Sequence, residues 1–102
     1  MEYHSIEFED VLAFAEETDL FGQHDTLLEH LRRHCYDEAL ATCSMVVAEY
    51  FQAYRQDGLC GRQVNQVPLY RRLVQLELMI MILAMQTQGR ALTVSQGSEQ
   101  SY

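Results

Sequence analysis

The chain contains no lysine, and all seven of its basic residues are arginine. Schiff-base chemistry and a lysine nucleophile or base are therefore excluded, and the cations that remain are planar, bidentate donors suited to carboxylates at interfaces. Cysteine is sparse: Cys35, Cys43 and Cys60 make an odd number with no CxxC pair, the usage of a reduced protein whose thiols behave as small hydrophobes. The opening residues, MEYHSIEFED, lack the basic start and apolar run of a secretory signal, so the expected location is cytoplasmic. No glycine-rich phosphate loop is present. Gly58-Leu59-Cys60-Gly61 lacks a following Lys-Ser/Thr and comes after a helical pattern, not a strand. A membrane span needs roughly 20 predominantly apolar residues. The longest uninterrupted apolar run is Leu78 to Met85, preceded by Arg71, Arg72, Gln75 and Glu77, so no membrane partner is expected.

With 102 residues and 48% hydrophobic composition, the chain is long enough for one core but not two. We expect a single helical domain over residues 1–89 and a flexible polar tail over 90–102, where RALTVSQGSEQSY is rich in serine and glutamine. The net charge of −8 is unevenly placed. Eleven of the fifteen acids fall in residues 1–38, against only Arg32 and Arg33, whereas the remainder carries four acids and five arginines. Nucleic-acid binding wants a clustered basic face, so no nucleic-acid partner is expected.

Hydrophobic spacing predicts an all-α fold, a small bundle of three or four helices around a central apolar C-terminal helix. A first helix runs to about Glu17, with Ser5 as N-cap and Glu7, Glu9 and Asp10 at the positive end of its dipole. A second starts near Thr26, placed to form a capping box with Glu29, and turns Leu27, Leu28 and Leu31 inward. Periodicity does not decide whether it breaks near His34-Cys35. Tyr36, Ala39, Leu40, Cys43, Val46, Val47, Tyr50 and Tyr54 then recur at threes and fours. Gly58 suits the left-handed residue that ends this helix, and Pro68 suits the first turn of the last one, which should stop before Gly89.

Leu27-Leu28-x-x-Leu31 followed by Tyr36-Asp37-Glu38-Ala39-Leu40 resembles the junction between the two helices of a tetratricopeptide hairpin. The likeness covers about a third of the chain and implies a TPR-like helical hairpin. The segment around Tyr70 to Val74 lacks the pattern, and a repeat fold needs at least three stacked units, so no repeat array is implied.

Candidate chemistry is thin. His30 and His34 have the spacing at which one helix can offer two imidazoles to a metal, yet no other ligand has a spacing that compels it, and neither metal nor cofactor is expected. Cys43 lies on the apolar stripe, where burial makes a thiol inert. No arrangement meets the geometric requirements of an active site, so the expectation is a protein that is not an enzyme.

What stands out is the last helix. Leu69, Leu73, Leu76, Ile80 and Leu83 form one apolar seam, and Tyr70, Val74, Leu78, Met81 and Met85 form a second beside it. One seam serves a monomer's core; two imply a core and an interface. Tyr70, Val74, Leu78, Met81 and Met85 are therefore the expected partner-binding residues. The expected partner is either a second copy in a homodimer or an amphipathic helix of another protein, and the expected role is that of a chaperone or adaptor. The alternative is an acidic inhibitor or immunity-type protein that blocks a basic surface through Glu7, Glu9, Asp10, Glu16, Glu17 and Asp19.

Overall fold

The computed structural model describes residues 6–20 and 22–99. Within them the chain forms five helices and no strand: α1 (Phe8–Glu16), α2 (His24–Arg32), α3 (Tyr36–Gln56), α4 (Gly61–Val64) and α5 (Pro68–Glu99). The all-α bundle that the periodicity predicts is present. α5 lies along α3 and touches α1, while α2 packs on α1 and α3. Val11 and Ala15 of α1, Leu27 and Leu31 of α2, Ala39, Cys43 and Val46 of α3, and Leu73, Leu76 and Ile80 of α5 meet in one core.

Several boundaries differ from the sequence expectation. Ser5 lies outside the described residues, and Glu7, in extended backbone, is the residue that precedes α1. Thr26 does not cap α2. The helix starts two residues earlier, after Gln23, whose carbonyl already accepts from the Leu27 amide at 2.9 Å. Fully buried Leu20 and the contact of His24 Nδ1 with the Thr18 carbonyl (3.0 Å) hold the α1–α2 connection against the core, and they draw the chain into the helix sooner.

The undecided break falls at His34, which adopts φ +60 in the left-handed region. Cys35 then leads into α3, so α2 and α3 form a helical hairpin with Tyr36 first and Ala39 fully buried. Gly58 does take the left-handed conformation (φ +101) just beyond α3, and Pro68 opens α5, where a missing amide costs nothing. Between them a short turn of helix, α4, was not foreseen; it buries Val64.

The last helix does not stop before Gly89. Its backbone continues helical to Glu99, because one glycine costs only about 1 kcal/mol relative to alanine and the segment contains no proline to end the pattern. The final three residues of the expected tail, 100–102, lie outside the described residues.

Candidate protein-binding face on the C-terminal helix

Successive residues of an α-helix turn by about 100°, so the two seams of α5 point in different directions. The first is core: Leu73, Leu76 and Ile80 are fully buried and Leu83 and Ala84 nearly so. The second faces outward: Val74 is 38% exposed, Leu78 43%, Met81 38% and Met85 63%. Two neighbours, α1 and α3, cover one side of the helix and leave this side open.

Tyr70 parts company with the other four. It is buried, its ring lies 6.1 Å from that of Phe51, and burial followed by the charge of Glu77 pushes its hydroxyl pKa up. It belongs to the α3–α5 seam and supports the face from beneath.

Met45 on α3, 45% exposed, adds an apolar group that sequence reasoning missed. The signal was there: Met45 is a large apolar side chain off the α3 stripe, with exposed Ala41 and Ala48 one turn to either side. Where α3 and α5 adjoin, Ser44 Oγ donates to Glu77 Oε2, and the Cys43 thiol sits 3.8 Å from the Leu73 carbonyl. At the head of the strip an open groove of about 270 Å³ is lined by Asn65, Tyr70, Arg71, Val74, Gln75 and Leu78. The resulting surface is a row of aliphatic and thioether side chains with a sparse polar edge.

The predicted acidic set lies on and beside α1. Glu7, Glu9, Asp10, Glu16, Glu17 and Asp19 are all exposed, but Glu16 pairs with Arg32 and Glu17 with Arg72, each at 3.3 Å. These ties staple α1 to α2 and to α5.

His30 and His34 do not share a helix, because α2 ends at Arg32. His34 Nδ1 lies 2.7 Å from the Tyr36 hydroxyl and its ring 4.8 Å from that of Phe8. Among the described residues no group of three His, Cys, Asp or Glu side chains is placed to hold a metal ion. Burial, with Glu77 second, pushes the Cys43 thiol up to about 12. No helix of the described residues is long and apolar enough to cross a membrane.

No family model, no curated protein and no solved structure matches this chain.

Proposed function

We propose that the protein is a non-catalytic, cytoplasmic helical binding module that masks or holds a helical surface of a protein partner against α5, as a small chaperone or adaptor does. One observation carries this reading: Val74, Leu78, Met81 and Met85 stand 38–63% exposed on a helix whose opposite seam is sealed. Fully burying a large apolar side chain is worth about 1.5–3 kcal/mol. Four half-open ones therefore hold several kcal/mol of unrealised burial, a sizeable fraction of a small domain's 5–15 kcal/mol. Methionine suits such a face, because its flexible thioether adapts to the shape of an incoming helix.

Leu78→Glu and Met81→Glu should each abolish association while far-ultraviolet helicity is retained. Loss of the fold in both would mean that the face is core and would end this reading. The alternative, an acidic inhibitor of a basic surface, has less support, because Glu16 and Glu17 are already paired within the chain. Salt separates the two, since an electrostatic complex weakens steeply with ionic strength and an apolar one does not.

A further inference from the structure

We infer that the occupant of the α5 face is a second copy of this chain, docked antiparallel about a two-fold axis passing between Leu78 and Met81. The inference rests on the binding-face reading above and names its partner.

The first argument is the spacing. Val74, Leu78, Met81 and Met85 are separated by four, three and four residues, an order that is the same read in either direction. Laid antiparallel on itself, the strip sets Val74 against Met85 of the second copy and Leu78 against its Met81, twice over. An isologous interface requires such self-complementarity. A parallel pairing would instead set each residue against itself and send the acidic first helices to the same end.

Charge is the second argument. A chain of net charge −8 pairs with itself only where the charge is absent. Glu9, Asp10, Glu16, Asp25 and Glu29 ride on α1 and α2, which pack on the core side of α3 and α5. On α5 the strip is flanked by one carboxylate, Glu77, already bonded to Ser44, and one guanidinium, Arg71, while exposed Glu38 and Glu49 stand on α3 seven residues before and four residues after Met45. Along α5 a basic amphipathic helix would find no acidic rim to select it, and a like copy docked strip to strip brings no unpaired carboxylate of α5 against its own kind.

Area is the third. Arg71 and Gln88, both exposed, close the strip at its two ends, and antiparallel docking sets one against the other. That length spans about 26 Å at about 1.5 Å per residue, and a face two helices wide is about 20 Å across. Roughly 500 Å² per copy, or about 1,000 Å² in total, reaches the threshold of a specific interface without approaching an obligate one. The dimer should therefore dissociate on dilution.

The test is light scattering and sedimentation equilibrium on the full chain from low to high micromolar concentration. The mass should rise from that of the 11.9 kDa chain to twice that value. Leu78→Glu and Met81→Arg should each raise the dissociation constant at least a hundredfold with helicity unchanged. An equimolar mixture of the two variants should recover dimers, because the antiparallel register faces the new carboxylate with the new guanidinium. A wild-type monomer at every concentration, with both variants folded, overturns the second copy and leaves the face free for another protein. A dimer that survives both substitutions, or a mixture that stays monomeric, overturns the register. Unfolding of both variants overturns the binding-face reading itself.

Discussion

Arg72 Nε donates to Thr18 Oγ1 at 2.8 Å and so joins the start of α5 to the residue just past α1. Thr18 is fully buried, and its hydroxyl also donates to the Phe14 carbonyl at 2.7 Å. The Arg72 guanidinium lies 4.1 Å above the Phe14 ring and reaches Glu17 at 3.3 Å. On a helix turning about 100° per residue, Arg72 points opposite to Met81. Anchoring it to α1 sets the rotation of α5 and turns the methionine strip outward.

Thr18→Val keeps the shape of this junction and removes both hydroxyl bonds. We expect a loss of about 1–2 kcal/mol, since a buried hydrogen-bonding site loses its partner while Arg72 can turn to water. Urea denaturation of the two proteins measures it, and an unchanged midpoint would show that the junction contributes nothing.

Leu73→Ala and Leu78→Ala make the same chemical change five residues apart on one helix. Leu73 is fully buried and should cost about 2–5 kcal/mol. Leu78 is 43% exposed, and in dilute monomer its loss should stay within about 0.5 kcal/mol. Equal costs would mean that the two faces of α5 are wrongly distinguished.

The three thiols should react at separate rates. Cys60 is exposed, Cys35 half-buried and Cys43 buried, so a thiol reagent at neutral pH should titrate Cys60 first and leave Cys43 untouched until the protein unfolds. Folding raises the Cys43 pKa from 9.0 to about 12. The native state thus favours the neutral thiol, and this contribution is complete below pH 9 and lost as pH climbs toward 12. Tyr36, Tyr50 and Tyr70, all raised chiefly by burial, act in the same direction. Thermal midpoints should fall across that window, and by less in Cys43→Ala.

Gln86 uses both ends of its amide on the backbone of Ile6. Oε1 accepts from the amide at 2.9 Å and Nε2 donates to the carbonyl at 3.0 Å. Gln86→Ala should free the segment before α1 at a cost of about 1 kcal/mol. Amide exchange at Ile6 should accelerate while exchange in the core of α3 stays unchanged.

Much of the fold was legible because periodicity and punctuation are local. The α3 stripe, the left-handed turn at Gly58, the start of α5 at Pro68 and the division of α5 into two seams all follow from residues close in the chain. The Thr26 cap and the helix end before Gly89 were misread because each is a weak local preference, about 1 kcal/mol, that neighbouring residues and packing outweigh. The burial of Tyr70 was illegible for a different reason. It depends on Phe51, nineteen residues away on another helix.

The amino-acid order alone determined that the C-terminal helix carries more apolar surface than one face can hold, because helical spacing fixes which side chains share a direction. How α5 is rotated, with Tyr70 joining the core while Val74, Leu78, Met81 and Met85 of the same seam stay half-open, was decided by the tertiary structure. That choice depends on where α1 and α3 lie and on the anchoring of Arg72 to Thr18 across fifty-four residues, and no pattern within α5 contains that information.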